Sequence, residues 1–272
     1  MYQLPIAPSE LSLVARQGSG SACRSLLGGF VAWEMGTAAD GDDSIAVEVA
    51  PREHWPEMHA LICVVSDDKK GTSSTSGMQR TVETSTLLQH RAKEIVPKRM
   101  EAISTAIKAK DFDTFAKITM QDSNQFHAVA LDTDPPIFYM NDISRAIVAL
   151  IVEFNRVSVA AGLPIRAAYT HDAGPNTVIF ALDKDVKDII NLVATYFPSA
   201  LQAFDDRFSL FKSGQNPGKG PLPVGFNEAV AKKYENGGVK SFIHTRVGDG
   251  PRVLGDDEAL LGGDGLPISK LF

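Results

Sequence analysis

The chain has 272 residues, of which 44% are hydrophobic and 22% charged, and its formal net charge is −6. This length allows one large or two smaller domains, and the composition is ordinary for a soluble globular protein. The acidic balance, with 27 basic and 33 acidic residues, disfavours nucleic-acid binding. No apolar run reaches transmembrane length, so we expect no membrane association.

The cysteines and the chain ends bear on the cellular compartment. Only Cys23 and Cys63 occur, so we expect a reducing compartment and no disulfide framework, with both side chains in packing roles. The segment 1–10 lacks the basic and apolar parts of a signal peptide. Ser269-Lys-Leu is followed by Phe272 and is therefore not a terminal peroxisomal signal. The expected location is the cytosol.

Periodicity, turn residues and capping residues divide the first part of the chain into short elements. The predicted elements are a helix over Ser9–Arg16 capped by Ser9, a helix start near Ser21, a strand over Gly28–Trp33, a loop over Gly36–Ser44, a strand over Met58–Ser66 and a loop over Gly71–Gly77 that leads into a helix. No internal repeat accompanies them.

The rest of the chain is predicted to alternate longer helices with strands. The predicted elements are two helices over Thr84–Lys110 separated by Pro97, helix over Phe112–Met120, a turn at Pro135-Pro136, a helix capped by Asn141 or Asp142 that ends near Ala160, paired strands over Ile165–Tyr169 and Thr177–Leu182, a helix over Asp185–Phe197, irregular structure over Phe204–Glu235 and a strand over Gly238–Val247. This order suits an α+β layer of helices against an antiparallel sheet.

The segment Gly18-Ser-Gly-Ser-Ala-Cys-Arg24 is typical of a helix start that binds a phosphate or diphosphate. Backbone N–H groups near Gly20 and the hydroxyls of Ser19 and Ser21 are donors, and the planar guanidinium of Arg24 offers paired charge-assisted hydrogen bonds. The alternative is a glycine-rich link between helices, with Arg24 in a salt bridge. The motif alone favours neither interpretation.

Asp172 lies in the tight turn Asp-Ala-Gly-Pro-Asn that directly follows an apolar run. An acid fixed on a rigid turn near an anion site is a candidate catalytic group. The alternative is an ordinary turn residue that accepts hydrogen bonds from nearby N–H groups. Without further context the second interpretation is favoured.

Six segments follow one another along the chain in a characteristic order and spacing: Gly18–Gly36, Ser73–Met78, Val96–Arg99, Asp122–His127, Pro135–Asn141 and Asp172–Asn176. In this order the chain resembles the diphosphomevalonate decarboxylase family of the GHMP kinase superfamily, in its fungal-like form. The resemblance implies a GHMP-kinase-like α+β fold. Residues 1–57 would be an incomplete N-terminal domain, and residues 58–272 a ferredoxin-like C-terminal domain of helices on an antiparallel sheet.

The resemblance also implies an activity, the ATP-dependent phosphorylation and decarboxylation of mevalonate 5-diphosphate to isopentenyl diphosphate. Asp172 would be the catalytic carboxylate, acting on the 3-hydroxyl during phosphorylation and stabilising carbocation-like charge at C3, with Arg24 as its catalytic partner. The matching family stretch binds the substrate, which assigns contacts to Ser19, Gly20, Ser21, Ala22, Cys23 and Arg24. Ser74 and Thr75 would add neutral donors.

The family's co-reactant is ATP, with Mg²⁺ held largely by the ATP phosphates, and no cluster in this sequence has metal-ligand spacing. Family members are commonly homodimers, so we expect self-association. They also carry a Lys-Tyr-Trp-Gly-Lys segment and a phosphate loop that this sequence does not contain. The alternative expectation is therefore an inactive truncated remnant that binds substrate weakly or only dimerises. A mevalonate or phosphomevalonate kinase is disfavoured by the paired motifs.

Two residues depart from the family pattern. His171 stands where an aromatic or apolar residue is common, and we expect its ring to point away from Asp172 because neighbouring strand residues alternate faces. Asp134 stands where an aromatic residue is typical, and we expect it to affect local packing. His127 is expected to be structural, since the family chemistry needs no histidine.

Overall fold

The computed structural model describes residues 6–67, 74–202, 204–211, 217–252, 254–255, 258–263 and 265–267. The chain divides into two compact units, one formed by residues 1–52 with 248–272 and the other by residues 53–247. A two-stranded sheet lies in the first unit and a four-stranded sheet in the second. The sequence-based division into domains 1–57 and 58–272 stays a prediction.

In its described residues the first unit contains one α-helix, one 3-10 helix and one antiparallel strand pair. Helix α1 (Pro8–Gly18) is followed by a 3-10 helix over Ala22–Leu26, and strand β1 (Phe30–Trp33) pairs with strand β2 (Ala46–Ala50). Strand β2 was not predicted, because the charge at Glu48 interrupts its short apolar pattern. The predicted first and last residues of α1 and β1 agree with the observed bounds to within two residues.

The predicted cap of α1 at Ser9 is wrong. Ala7 is the N-cap, and Pro8 occupies the first turn, where its missing N–H would have no partner in any case. Ser12 is fully buried instead, and its hydroxyl accepts a hydrogen bond from the Ala46 backbone at 2.9 Å. This bond ties α1 to the start of β2.

Gly29 is required by the backbone that enters β1. Its φ is +73°, and a Cβ atom would lie 2.4 Å from the carbonyl oxygen of Ala50. Its N–H donates to the Gly248 carbonyl at 2.9 Å, which joins the C-terminal segment to this unit. A glycine therefore meets both a conformational and a steric requirement here.

The second unit is an antiparallel sheet covered by helices. Its strands are β3 (Met58–Val64), β4 (Ala168–His171), β5 (Thr177–Leu182) and β6 (Ser241–Arg246), in the spatial order β4-β5-β3-β6. Every neighbouring pair is antiparallel. Counted within this sheet, the order is second, third, first, fourth, which is the ferredoxin-like arrangement. The expected α+β architecture is confirmed.

The described residues form seven α-helices. In the second unit these helices are α2 (Ser74–Thr84), α3 (Thr86–His90), α4 (Val96–Ala109), α5 (Phe112–Leu131), α6 (Asp142–Ala160) and α7 (Asp183–Tyr196). Among the residues that the structure describes, no helix is both long and apolar enough to cross a membrane.

The core of the second unit lies between the sheet and helices α6 and α7. On α6, Ile147, Leu150 and Phe154 are fully buried, since apolar residues recur at helical spacing on one face. The sheet contributes alternate residues, including Cys63, whose thiol pKa is raised by burial. The predicted core position of Cys63 is confirmed.

The cap of α6 follows the local sequence signal. Asn141 Oδ1 accepts hydrogen bonds from the backbone N–H groups of Ile143 and Ser144, both at 3.0 Å. An Asn side chain at this position satisfies donors that the first turn leaves unpaired. The predicted helix from Asn141 or Asp142 to Ala160 is confirmed.

The region from Thr84 to Lys110 differs from the prediction. The break lies at Ser85, whose hydroxyl caps α3, and Pro97 does not interrupt the helical backbone. A π-helical stretch over Arg91–Ile95 joins α3 to α4 and leaves Pro97 in the first turn of α4, where proline is tolerated.

The predicted loop over Gly71–Gly77 is wrong in its second half. Residues 74–77 form the first turn of α2, and Gly77 is buried. Residues 71–73 lie outside the described residues. Packing of α2 against α5 outweighs the low helix propensity of Ser, Thr and Gly. Helix α5 also continues well past the predicted end at Met120.

Two histidines are buried together at the end of the sheet where β3 begins. His59 Nδ1 lies 2.6 Å from His244 Nε2, and the two rings are 1% and 3% exposed. Arg246 Nε donates to His59 Nε2 at 2.8 Å, and Asp183 also contacts that nitrogen. Burial, followed by the charges of His59 and Arg246, lowers the pKa of His244 to about 4.

Acidification is expected to destabilise the protein through this pair. Below the unfolded pKa of about 6.5 the unfolded chain binds protons that neutral His244 does not, so the free energy of unfolding falls as the pH drops toward 4. We expect a loss of about 1–2 kcal/mol from His244 between pH 6.5 and 5. Urea unfolding at pH 7.5, 6 and 5 measures it.

His244→Phe is the matched variant, since a ring without a titrating proton fits beside Phe208, whose centroid lies 4.5 Å from that of His244. The free energy of unfolding should depend less steeply on pH in this variant. The other buried histidines account for the pH dependence that is left. Identical slopes for both proteins would contradict the assignment. The nearby charges of Asp206 and Arg207 are the same in both proteins, so they do not account for a difference between the two slopes.

Candidate active site

The Gly18–Arg24 segment exposes its hydroxyl groups. The backbone of Ser19 is extended after the end of α1, and Ser19 Oγ lies 3.2 Å from Ser21 Oγ. The predicted helix start near Ser21 is a five-residue 3-10 helix. A helix dipole is therefore weak here, and the hydroxyl groups together with Arg24 carry the capacity to bind an anion.

Arg24 is exposed at the C-terminal side of this segment. Within the described part of the chain no carboxylate pairs with its guanidinium, so the alternative of a structural salt bridge has no support there. None of its five N–H donors has a partner among the described residues, so they can be used by a ligand. Because the fork is planar, it matches the oxygen atoms of a phosphate or carboxylate.

Gly20 and Cys23 shape the segment from inside. A Cβ atom at Gly20 would lie 2.8 Å from the ring of Trp33, so only glycine allows this close approach. Cys23 is fully buried, and its thiol donates to the Gly20 carbonyl at 3.0 Å. Ala22 is half-buried. The sequence-predicted residues thus divide into an exposed set (Ser19, Ser21 and Arg24) and an inward set.

Asp172 lies in the turn between β4 and β5, with its carboxylate exposed. Its Oδ1 accepts a hydrogen bond from the Ala173 N–H at 2.7 Å, and its carbonyl accepts one from Gly174 at 2.8 Å. The other carboxylate oxygen, Oδ2, has no hydrogen-bond partner among the described residues. One oxygen therefore fixes the side chain, and the other is free to meet a ligand.

Two neighbouring elements pin the turn. Asn176 Oδ1 accepts hydrogen bonds from Val65 at 2.8 Å and Ser66 at 3.0 Å, at the end of β3. Ser144, on the first turn of α6, donates to the Pro175 carbonyl at 2.7 Å. The backbone on the C-terminal side of Asp172 is thus held from the sheet and from a helix.

His171 points away from Asp172, as predicted. Its ring is 5% exposed, and its Nε2 lies 2.8 Å from the Thr177 hydroxyl. Burial, followed by the charge of His127, lowers the pKa of His171 to about 4. The His127 ring packs edge-on against it at 5.8 Å, and its own pKa is lowered, chiefly by burial. Both rings are therefore neutral near pH 7.

Tyr139 and Arg80 were not among the predicted site residues. Burial raises the pKa of Tyr139, the charge of Asp172 raises it further, and the charge of Arg80 lowers it. Tyr139 therefore lies within electrostatic reach of both Asp172 and Arg80. Tyr139 lies in the Pro135–Asn141 segment of the family resemblance, and this is its only signal in the sequence. Arg80 lies one turn beyond Thr75 on α2.

The structure describes two separate groups of predicted residues. The Ser19, Ser21 and Arg24 set belongs to the first unit, and Asp172 belongs to the second. Ser74 and Thr75 are exposed on the first turn of α2, also in the second unit. In the described residues no hydrogen bond joins Ser74 or Thr75 to Asp172.

Family models match both parts of the chain. The mevalonate 5-diphosphate decarboxylase C-terminal domain matches residues 60–254, and the diphosphomevalonate decarboxylase-like N-terminal domain matches residues 1–46. A curated diphosphomevalonate decarboxylase from Ganoderma lucidum is 66% identical over 267 residues, which are 98% of this chain and 66% of that protein.

Solved structures agree with these matches. The mevalonate diphosphate decarboxylase from Trypanosoma brucei has a TM-score of 0.81 at 34% identity, covering 92% of this chain and 64% of that one. MDDEF in complex with MVAPP, AMPPCP and magnesium has a TM-score of 0.60 at 33% identity, covering 70% and 55%.

The fold is that of the GHMP kinase superfamily. Within that superfamily, the chain belongs to the diphosphomevalonate decarboxylase family, since one family model alone covers residues 60–254. The chain spans slightly less than two thirds of the length of the curated relatives that it matches.

Asn176→Ala is expected to loosen the Asp172 turn. The change removes the acceptor of two backbone N–H groups, so we expect the free energy of unfolding to fall by about 1–2 kcal/mol. Asn176→Asp is the matched control, because it keeps an acceptor oxygen at the same position. Urea unfolding compares the two variants, and equal stabilities would show that these bonds do not hold the turn.

Proposed function

We propose that the protein is a diphosphomevalonate decarboxylase, which converts mevalonate 5-diphosphate and ATP to isopentenyl diphosphate, CO₂, ADP and phosphate. The observation that carries this proposal is the Asp172 carboxylate, exposed on a turn that β3 and α6 hold in place. Membership of the decarboxylase family supports the same reaction.

The diphosphate group of the substrate is the proposed ligand of the exposed set. Ser19 and Ser21 would donate neutral hydrogen bonds, and Arg24 would donate a charge-assisted pair. Gly20, Ala22 and Cys23 would contact the substrate through backbone atoms. The Cβ position of Gly20 and the side chain of Cys23 both face inward. Ser74 and Thr75 would add neutral donors from the first turn of α2.

Asp172 has two proposed roles at C3 of the substrate. Its free Oδ2 would orient the 3-hydroxyl and accept its proton, because a positioned carboxylate within hydrogen-bond reach acts as a general base. That proton would then pass to solvent, which restores the charge of the carboxylate. As phosphate leaves C3 and CO₂ is lost, the negative charge of Asp172 would stabilise positive charge at C3. Arg24 would keep the substrate in register for both steps.

ATP is the proposed co-substrate, and its phosphoryl group would convert the 3-hydroxyl into a leaving group. The MDDEF complex with AMPPCP and magnesium supports this assignment. Across the described ranges no three His, Cys, Asp or Glu side chains are grouped to hold a metal ion. Mg²⁺ would arrive bound to the ATP phosphates, which supply most of its ligands.

We also propose a cytosolic homodimer, on the basis of the family resemblance. The dimer would be the form in which the reaction is assayed. An inactive protein that binds mevalonate 5-diphosphate without turnover, or only dimerises, is the alternative that the assay must separate from the proposed enzyme.

The proposed reaction is tested by CO₂ release from carboxyl-labelled mevalonate 5-diphosphate with ATP and magnesium. Asp172→Asn should lower kcat by about 10²–10⁴-fold with little change in KM, because the amide cannot accept the proton. Arg24→Gln should raise KM about 10- to 100-fold, because charge-assisted bonds to the diphosphate are lost.

Asp205→Asn is the control, since it makes the same chemical change at an exposed carboxylate outside the proposed site. It should leave kcat and KM unchanged. No CO₂ from folded protein that still binds mevalonate 5-diphosphate would establish the inactive alternative. Turnover that survives in Asp172→Asn would remove Asp172 from its proposed role.

A further inference from the structure

A cavity of about 290 Å³ lies in the second unit, between α2, α3, α5 and Tyr139. Its wall is mostly apolar, with contributions from Met78, Val82, Phe126 and Val129. At about 30 Å³ for each water-sized group, it has room for about ten non-hydrogen atoms. A space of this size and polarity is suited to a small organic molecule.

Among the described lining residues Arg91 is the charged one, and its side chain is only 13% exposed. Nη1 donates to Asp122 Oδ1 at 2.7 Å and to Gln125 Oε1 at 2.8 Å, and Nη2 donates to Asp122 Oδ2 at 2.8 Å. These bonds use three of the five N–H donors of the guanidinium.

The two remaining donors of Arg91 are those on Nε and the second hydrogen of Nη2. They lie side by side in the plane of the guanidinium and form a second fork, of the kind that binds a carboxylate or phosphate through two parallel bonds. In the part of the chain that the structure describes, no acceptor fills this fork. A largely buried guanidinium thus has an unused pair of donors.

The charges around the fork are unbalanced. Arg91 and Arg99 both donate to Asp122, which leaves one positive charge in excess. Burial would raise the pKa of Asp122, but the hydrogen bonds and charges of the two arginines outweigh it and lower that pKa overall. The carboxylate is therefore ionised at neutral pH and still cannot cancel both cations. An anion bound at the fork would neutralise the excess positive charge.

Simpler occupants satisfy only half of this arrangement. Water would bond to the fork but leave the apolar wall wet, and a purely apolar molecule would cover the wall but leave the donors of Arg91 unpaired. The rim is also apolar, since Met78 and Val82 are 57% and 61% exposed. A ligand with an apolar body and one anionic group meets both requirements.

We propose that this cavity binds a small amphipathic anion, with its carboxylate or phosphate group on the Nε–Nη2 fork of Arg91 and its apolar body against Met78, Val82 and Val129. The Tyr139 hydroxyl, which has no partner among the described residues, is a second donor in the same wall. Binding here uses neither Arg24 nor Asp172, so the proposal does not depend on the proposed reaction.

The test is calorimetric titration of the full chain with four probes: hexyl phosphate, hexanoate, 1-hexanol and inorganic phosphate. At least one of the two amphipathic anions should bind at one site, and tenfold or more tightly than hexanol and inorganic phosphate. Equal affinity for hexanol and the anions, or no binding of any probe, would overturn the proposal. Displacement of the bound anion by mevalonate 5-diphosphate would also overturn it, since the probe would then occupy the substrate site.

Two variants locate the bound probe. Ala130→Phe should abolish binding, because the ring would fill the cavity from a buried wall position. Val82→Asp places a carboxylate on the exposed rim and should weaken binding of the anions at least tenfold. It remains informative if Ala130→Phe does not fold.

Val152→Asp is the matched control, because it makes the same change at a 51% exposed valine on α6, outside the cavity wall. It should leave the affinity for the anions unchanged. Equal affinities in Val82→Asp and Val152→Asp would place the bound probe elsewhere and would contradict the assignment to this cavity.

Discussion

The register of β3 between β5 and β6 is the constraint on which the position of the Asp172 turn depends. Cys63 pairs with Thr177 on one side and with Phe242 on the other. A slip of one residue would turn the buried side chains of β3 toward the opposite face of the sheet. Because the register is fixed, the N–H groups of Val65 and Ser66 reach Asn176, and the Asp172 turn has a defined position.

The same alternation separates two titratable neighbours. His171 is the last residue of β4 and faces inward, and Asp172 follows it and faces solvent. The imidazole is neutral because burial opposes its charge. The carboxylate therefore has no cationic ring directly behind it, although the chain order places a histidine beside it. A departure from the family pattern is accommodated by packing against Thr177 and His127.

Local signals predicted the parts of the fold that depend on local interactions. Asn141 caps α6, and β5 has the predicted bounds Thr177–Leu182. The strand before Asp172 was predicted over Ile165–Tyr169 but lies at Ala168–His171, where its backbone pairs with β5. The cap at Ser9 failed because Pro8 competes for the first turn, and the break at Ser85 was missed because it depends on Asp132, 47 residues away. The Arg91 network likewise joins residues that only tertiary packing brings together. Sequence patterns of period two or 3.6 contain no information on such contacts.

Asp122 and Asp172 are both carboxylates of the second unit, but their surroundings differ. Asp122 is held by two arginines and a glutamine network, so its charge is committed to structure and its pKa is lowered. A proton taken up there would break several hydrogen bonds. Asp172 has one backbone bond and one free oxygen, and it lies on the surface of a pinned turn. One oxygen of Asp172 is thus committed to the fold, and within the described residues the other can meet a bound ligand without breaking a hydrogen bond.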